Sequence, residues 1–229
     1  MTLHSYYPLG VDIPNYAANE LSTLTLLAIF ASACAILLGA TTLITTKANP
    51  HISRAEFLTV FWFVLCSAIH FVLEGHYARN FTTLPASQHI LSQLWKEYSL
   101  SDSRYLTSDA FVLCMEAVTA FCWGPLSLLL AGFIVADHPL RHPIQIVISL
   151  GQLYGNVLYY GICAFGFVVN GIEYSRPEKY YFYGYFVFLN AFWIVIPLVL
   201  VFSSARACAG AFEVANKVKA GVNGVKKTA

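Results

Sequence analysis

The hydrophobic pattern divides the chain into five long apolar segments joined by polar connections. Each segment has about 20 residues or more, and at 1.5 Å per residue such a helix crosses the roughly 30 Å hydrocarbon core of a bilayer. Three of them, the first, fourth and fifth, contain no Asp, Glu, Lys or Arg. We therefore predict an all-α integral membrane protein, a bundle of five transmembrane helices. The segments are Leu21–Thr46, Phe57–His76, Ala110–Val135, Pro143–Val169 and Tyr180–Ser204.

The five segments form one predicted membrane domain, residues 21–205, between an N-terminal segment (1–20) and a basic tail (206–229). The first segment is too long for a signal peptide and no basic residue precedes it, so we interpret it as a retained helix. The longest connection, about residues 77–109, has apolar residues at near-helical spacing around Trp95 and Tyr98. This spacing predicts an amphipathic helix at the membrane interface, with both aromatic rings at headgroup depth. A surface loop with incidental aromatic residues is the alternative.

Lys and Arg residues are distributed unequally between the two sides of the predicted bundle. The side that carries the C-terminus has eight and the opposite side has five. Because cytoplasmic loops carry the excess of basic residues, we predict a cytoplasmic C-terminus and a lumenal N-terminus. The chain ends in Lys226-Lys227-Thr228-Ala229, which resembles a dilysine retrieval signal. Together these features favour the endoplasmic reticulum membrane.

Composition excludes several other classes. Charged residues make up 11% of the chain and hydrophobic residues 58%, whereas soluble domains carry about 25% charge. The net charge of +1 gives no reason to expect a nucleic-acid partner. The six cysteines show no ligand spacing and five of them lie in apolar segments, where thiols behave as small hydrophobic groups. We predict neither a metal site nor a disulfide framework.

Three ionisable side chains interrupt the apolar segments: His70, Glu74 and Glu116. A carboxylic acid at the centre of a membrane helix costs about 2.5–3.5 kcal/mol on insertion scales, so such groups usually face a protein interior and have a function. His70 and Glu74 are four residues apart and share a helix face, where they can share one mobile proton. Two alternatives stay open: the pair caps its helix near the lumenal headgroups, and Glu116 is solvated near the interface.

Other polar side chains have helical spacing with these groups. Thr119 lies on the same face as Glu116, and Asn190 and Trp193 are three apart in the fifth segment. An acid, a second carboxylate and an indole face suit a carbocation intermediate, because desolvated cation–π contact contributes about 2 kcal/mol. Asn190 and Trp193 are also ordinary residues for helix packing. The fourth segment has a polar stripe that lines a cavity or joins helices: Gln152, Asn156 and Tyr159.

Several long runs of the sequence resemble the EXPERA family of membrane proteins, within it the emopamil-binding branch of sterol Δ8-Δ7 isomerases. The runs are HFVLEGHY, LSQLWKEYSLSDSRYLTSDAFVLCMEAVTAFCWGPLSLL, HPLRHPIQIVISLGQLYGNVLYY and YFVFLNAFWIVIPL. The resemblance covers about residues 55–205. It implies a five-helix bundle enclosing a sterol cavity. It also implies an isomerase that moves the ring double bond from C8=C9 to C7=C8 without redox chemistry or a cofactor.

The family's functional positions are all occupied in this sequence. Its H-x-x-x-E, M-E-x-x-T and N-A-x-W motifs give the catalytic positions, and the same likeness implies that Met115, Tyr105, Trp193 and Asn190 contact the substrate. The implied catalytic residues are His70, Glu74, Glu116, Thr119, Asn190 and Trp193.

The resemblance also implies the partners: a Δ8-sterol substrate, cationic amphiphilic amines as inhibitors, and membrane lipid, with a homodimer as one possible assembly. Two rival functions remain. A non-catalytic receptor or trafficking protein for sterols and amphiphilic amines would tolerate loss of the acidic groups. A proton-coupled transporter or channel also uses buried His and Glu, but the sequence has no internal repeat and no matching pair of broken helices.

Overall fold

The computed structural model describes residues 4–228, with side chains described for residues 4–221. Across this range the chain forms helices and turns and contains no β-strand. Short 3₁₀ turns lie at Leu84–Ala86 and Ser103–Leu106. The helices are α1 (Thr23–Ala48), α2 (Arg54–Asn80), α3 (Ile90–Tyr98), α4 (Ala110–Val135), α5 (Arg141–Asn170) and α6, a π-helical segment Tyr180–Leu189 that continues as the α-helix Asn190–Thr228.

Five of these helices are long and apolar enough to cross a membrane, which confirms the predicted all-α architecture. Helix α4 has the predicted bounds, and α2 extends further at both ends. Helix α6 continues past Ser204 without interruption, so no helix end marks the boundary drawn at residue 205. Ala229 and the side chains of Lys226 and Lys227 lie outside the described part of the chain.

The helix ends follow from local hydrogen-bonding chemistry. Helix α2 begins with a capping box in which Ser53 and Glu56 each accept from the other's backbone N–H. Asp109 caps α4 by accepting from the amide three residues later. Gly171 ends α5 with φ +66°, a left-handed conformation that glycine adopts without steric cost.

Two clusters of buried side chains form the core. The aromatic cluster surrounds Tyr77, Trp95 and Tyr105 and includes residues of α5 and α6. The second cluster, here called the aliphatic cluster, lies between α2, α4, α5 and α6, around Phe63 and Leu130. Large apolar side chains on the outer faces of the helices are exposed, as expected for surfaces that contact lipid.

The amphipathic helix predicted in the long connection is present as α3, but its aromatic side chains face the protein. Trp95 is 8% exposed, and its Nε1 donates to the carbonyl oxygen of Leu73 at 2.8 Å. Tyr98 accepts a hydrogen bond from Asn190. Both rings thus pack α3 onto the bundle, and their depth in the membrane stays a prediction.

The N-terminal segment lies across α3 and closes this end of the bundle. Lys96 is fully buried, and its Nζ donates to the carbonyl oxygen of Ala17 at 2.8 Å. Tyr6 donates to the carbonyl oxygen of Lys96 at 3.0 Å, and Asn19 donates to that of Gln93 at 2.9 Å. These bonds hold residues 4–20 over the aromatic cluster.

Candidate active site

Three π-helical turns coincide with the predicted site residues. In α2 the turn Ile69–Glu74 contains His70, and in α4 the turn Thr119–Trp123 begins at Thr119. In α6 the segment Tyr180–Leu189 ends immediately before Asn190. Such turns replace i→i+4 hydrogen bonds with i→i+5 bonds and often occur at functional sites. They are therefore the local feature of the backbone that the three site-bearing helices share.

A glycine lets α4 approach α2 beside the histidine. A Cβ atom at Gly124 would lie 3.3 Å from the Cβ of His70 and 3.5 Å from the ring of Phe71. A side chain at residue 124 would therefore fit only if its neighbours on α2 shifted. The close approach places the two π-turns next to each other, so that groups on α2 can reach groups on α4.

His70 and Glu74 form a hydrogen-bonded pair inside the bundle. Their exposed fractions are 1% and 9%, and His70 Nδ1 lies 2.6 Å from Glu74 Oε2. This burial does not support the alternative in which the pair lies at the water boundary. The Glu74 carboxyl fixes the orientation of the imidazole ring through this hydrogen bond.

Gln152 of α5 completes the surroundings of the imidazole. Its Nε2 lies 3.4 Å from His70 Nε2, and its Oε1 has no hydrogen-bond partner among the described residues. In one orientation the amide N–H donates to an unprotonated Nε2; after a 180° flip, Oε1 accepts from a protonated Nε2. The site therefore accommodates both protonation states of His70.

Glu116 faces the same interior from α4. It is 4% exposed, accepts a 2.6 Å hydrogen bond from the Tyr105 hydroxyl and has the Glu74 carboxyl as a neighbour. Burial and the neighbouring charge of Glu116 raise the pKa of Tyr105 well above its usual value, so the phenol stays protonated and remains a donor. Thr119 donates to the main-chain oxygen of Glu116 at 2.8 Å and so supports the π-turn.

Asn190 belongs to a second polar group, which it forms with Tyr98 and Asn156. Its Nδ2 donates to the Tyr98 hydroxyl and to the Phe186 carbonyl oxygen, both at 2.8 Å. Asn156 donates to the main-chain oxygen of Asn190 at 2.7 Å. The polar stripe on α5 thus faces the interior as predicted, with Gln152 contacting His70 and Asn156 contacting α6.

A buried ion pair lies at the far end of this polar group. Tyr159 donates to Asp102 Oδ2 at 2.6 Å, and Asp102 pairs with Arg104 at 2.6 Å. The two charged side chains are 0% and 1% exposed. Tyr159 and Tyr98 have their hydroxyl oxygens 3.5 Å apart, which links the ion pair to Asn190. Sequence analysis missed this pair because it lies in the connection before α4, where charges are usually solvated.

The remaining predicted residues lie in the two core clusters. Trp193 packs against Trp62 with ring centroids 5.4 Å apart and borders the aliphatic cluster. Met115 is half-buried against the aromatic cluster. The structure thus joins His70 to Glu74 and Tyr105 to Glu116 by hydrogen bonds, with the two carboxyl groups as neighbours. Asn190 and Trp193 each have their own set of contacts on α6.

Two cavities open elsewhere in the bundle. One of about 360 Å³ lies between the end of α5 and the start of α6, and one of about 280 Å³ lies between α5 and the C-terminal part of α6. His70, Glu74 and Glu116 line neither of them. The sterol cavity implied by the resemblance therefore stays a prediction.

Comparison with known proteins places this architecture in a family. Residues 90–204 match the model of EXPERA, the EXPanded EBP superfamily. The 3-beta-hydroxysteroid-Delta(8),Delta(7)-isomerase of Mus musculus is 41% identical over 205 residues, covering 89% of this chain and 88% of that protein. The isomerase of the same name from Rattus norvegicus is 38% identical over 208 residues, covering 90% of this chain and 89% of that protein. A probable isomerase of Oryza sativa subsp. japonica is 30% identical over 218 residues, 94% of this chain and 96% of that protein. The chain therefore belongs to the EXPERA family.

Proposed function

We propose that this chain is a sterol Δ8-Δ7 isomerase that moves a ring double bond from C8=C9 to C7=C8. The observation that carries the proposal is the buried His70–Glu74 pair with Glu116 beside it. The similarity to relatives named as isomerases over most of the chain supports the same reaction. The reaction adds one proton and removes another, so it needs a buried acid and a buried base, and this site supplies both.

His70 is the proposed acid. Because Glu74 holds Nδ1, the proton leaves from Nε2, which faces Gln152. It adds to C9 of the Δ8-sterol, the C8=C9 π electrons form the new C9–H bond, and a tertiary cation remains at C8. The Gln152 amide then serves the unprotonated nitrogen as a donor, which stabilises the imidazole after transfer.

Ionised Glu116 is the proposed electrostatic partner of the cation, with the indole face of Trp193 as a second. A fixed charge in a dry site stabilises a developing charge strongly, because no solvent reorganisation is needed. Loss of the C7 proton then forms C7=C8 and balances the reaction. Glu116 or the His70–Glu74 pair takes this proton. The adjacency of Glu74 and Glu116 supports its return to the pair before the next turnover.

The test uses the full chain reconstituted in liposomes that contain a Δ8-sterol, with products separated by mass. In D₂O the product of the first turnover should carry one deuterium at C9. Glu116→Gln should lower turnover on the order of 100-fold or more while sterol binding changes little, and His70→Ala should abolish turnover. Glu213→Gln, an exposed carboxylate on α6, is the matched control and should behave as wild type. Sterol binding without turnover by the wild type would favour the non-catalytic receptor instead.

We also propose that the chain resides in the endoplasmic reticulum membrane with a lumenal N-terminus and a cytoplasmic C-terminus. The excess of Lys and Arg on the C-terminal side supports this orientation. Protease treatment of sealed microsomes should remove an epitope placed after Ala229 and spare one placed before residue 4. The reverse pattern would contradict the orientation.

Cationic amphiphilic amines are the proposed inhibitors, since a buried carboxylate that stabilises a carbocation also pairs with an ammonium group. Such an amine should compete with the sterol, and Glu116→Gln should weaken it more than it weakens the sterol. A homodimer and bound membrane lipid are further proposals. Cross-linking and mass measurement in native membranes would test them.

A further inference from the structure

Tyr98 of α3 contacts two parts of the proposed active site that lie on different helices. Its hydroxyl oxygen is 2.8 Å from the side-chain nitrogen of Asn190 on α6. Its ring packs edge-on against Tyr105, with centroids 5.4 Å apart, and Tyr105 donates to Glu116 of α4. Tyr98 therefore touches both Asn190 and the tyrosine that holds the buried carboxyl group.

The orientation of the Asn190 side-chain amide follows from its two partners. The main-chain oxygen of Phe186 can only accept, so the amide atom 2.8 Å from it is the nitrogen. The same nitrogen faces the Tyr98 hydroxyl, and these two acceptors use both N–H groups of the amide. Within residues 4–221 no donor bonds to Oδ1. The oxygen, which is the negative end of the amide dipole, is therefore the atom left for a ligand.

A buried carboxylate sets the direction of the hydroxyl protons next to this amide. Asp102, which is paired with Arg104, can only accept, so Tyr159 donates to it at 2.6 Å. Tyr98 accepts from Asn190, and its own proton is directed toward the Tyr159 oxygen, 3.5 Å away. At this distance the bond is weak, so it orders the proton more than it stabilises the fold. Every step of the chain therefore donates in one direction, from the amide toward the carboxylate.

Burial and a backbone contact hold this chain in place. Tyr159 and Asp102 are both buried, so water does not compete for their hydrogen bond. Asn156 of α5 donates to the main-chain oxygen of Asn190 at 2.7 Å, where the π-helical segment of α6 meets its α-helical part. With the backbone fixed in this way, the two acceptors of its N–H groups decide how the Asn190 side chain is turned.

We propose that Tyr98 is a positioning residue for Asn190, and that Asp102 acts through Tyr159 to direct the Tyr98 proton. The amide is thereby held with Oδ1 toward the reacting sterol. The inference rests on the proposed function, in which a carbocation forms at C8. An amide oxygen fixed near a developing positive charge stabilises it without reorganisation, whereas a reversed amide would present its N–H groups and destabilise the cation. Without the Tyr98 hydroxyl, the amide nitrogen keeps one acceptor instead of two and loses its single orientation.

Tyr98→Phe tests the proposal because it removes the hydroxyl and keeps the packed ring. Initial rates of Δ8-sterol conversion by the full chain in liposomes should show kcat lowered about tenfold, the effect of one hydrogen bond. KM should stay unchanged, since the orientation acts on the cation and not on the bound substrate. Tyr159→Phe should lower kcat less than Tyr98→Phe does. Tyr160→Phe is the matched control: it loses a 2.7 Å bond to the main-chain oxygen of Val187 on the same helix, has no part in the chain to Asn190, and should keep the kcat of the wild type.

A double-mutant cycle separates positioning from general structural support. If Tyr98 acts through Asn190, Tyr98→Phe should cause no further loss of kcat in a protein that already carries Asn190→Ala. The same tenfold loss in both backgrounds would mean that Tyr98 acts independently of the amide, and it would overturn the proposal. A Tyr98→Phe protein with the kcat of the wild type, or with a raised KM as its main change, would overturn it as well.

A readout without turnover keeps this test separate from that of the isomerase. The full chain with ¹⁵N-labelled asparagine is placed in nanodiscs, and the side-chain NH₂ signal of Asn190 is assigned by its absence in Asn190→Ala. Its protons should exchange with water about tenfold faster in Tyr98→Phe than in the wild type or Tyr160→Phe. Equal exchange rates in the three proteins would overturn the positioning role even where all three convert sterol. Slow exchange in a wild type that converts no sterol would instead overturn the isomerase and support the orientation of the amide.

Discussion

Tyr105→Phe isolates one hydrogen bond of the proposed active site. The change removes the hydroxyl that donates to Glu116 at 2.6 Å and keeps the buried ring, which stacks on Trp95 with centroids 4.6 Å apart. Packing is therefore preserved, and the Glu116 carboxyl loses the hydrogen-bond donor that holds it. A hydrogen bond to a charged group contributes about 1.5–3 kcal/mol.

If ionised Glu116 stabilises the carbocation, loss of this hydrogen bond raises the rate-limiting free-energy barrier by the same amount. At about 1.4 kcal/mol per factor of ten, kcat should fall by about 10- to 150-fold. Initial rates of Δ8-sterol conversion in liposomes measure the effect, and the thermal midpoint in detergent checks the fold. Tyr154→Phe, on an exposed side chain of α5, is the matched control. A folded Tyr105→Phe protein with a kcat within about twofold of wild type would refute the reasoning.

Three other predictions concern packing, the buried ion pair and pH. Gly151→Ala places a Cβ 2.4 Å from the indole of Trp123, and overpacking of about 1–3 kcal/mol should lower Tm by about 2–12 °C. Gly155→Ala, which has open space around it, should leave Tm unchanged. Equal Tm values for the two variants would argue against this packing. Asp102→Asn leaves the buried guanidinium of Arg104 without its counter-charge and should lower the free energy of unfolding by about 3–5 kcal/mol. Glu56→Gln, in a partly exposed ion pair, should lower it by less than about 1 kcal/mol. Chemical denaturation that ranks the two variants the other way would contradict the buried position of the Asp102–Arg104 pair. The raised pKa of Tyr105 keeps its phenol neutral below about pH 10. The alkaline limb of the pH–rate profile should therefore be the same in wild type and in Tyr105→Phe. If this limb vanished in the variant, the phenol would have to ionise in the wild type.

The membrane helices were predictable because their signal is large and local. A run of about 20 apolar residues has few alternatives to a spanning helix, and the bounds of α4 were predicted to the residue. Helix α2 was predicted too short, since Arg54 and Arg79 are polar and a hydropathy pattern stops where a helix leaves the apolar region. Backbone hydrogen bonding continues beyond that point.

The acidic groups of the site were predictable for a related reason. His70, Glu74 and Glu116 are costly in an apolar segment, so their presence alone indicated an interior position. Gln152 and the Asp102–Arg104 pair carry no such signal, since an amide in a helix and charges in a connection are common. Their roles depend on which helices become neighbours, and that is decided by tertiary packing.

The π-turns have a consequence for relatives that differ in length by one residue. A single extra residue converts an α-helical turn into an i→i+5 turn, and one residue corresponds to about 100° of rotation around a helix axis. Deleting one residue from Ile69–Glu74 or Thr119–Trp123 would restore regular winding and turn the rest of the helix by that angle. Hydropathy and span length would hardly change, yet the acids of α2 and α4 would no longer meet. A homologue with such a one-residue deletion should therefore keep the membrane fold while losing the constellation, and a sequence alignment should look for that gap in mid-helix.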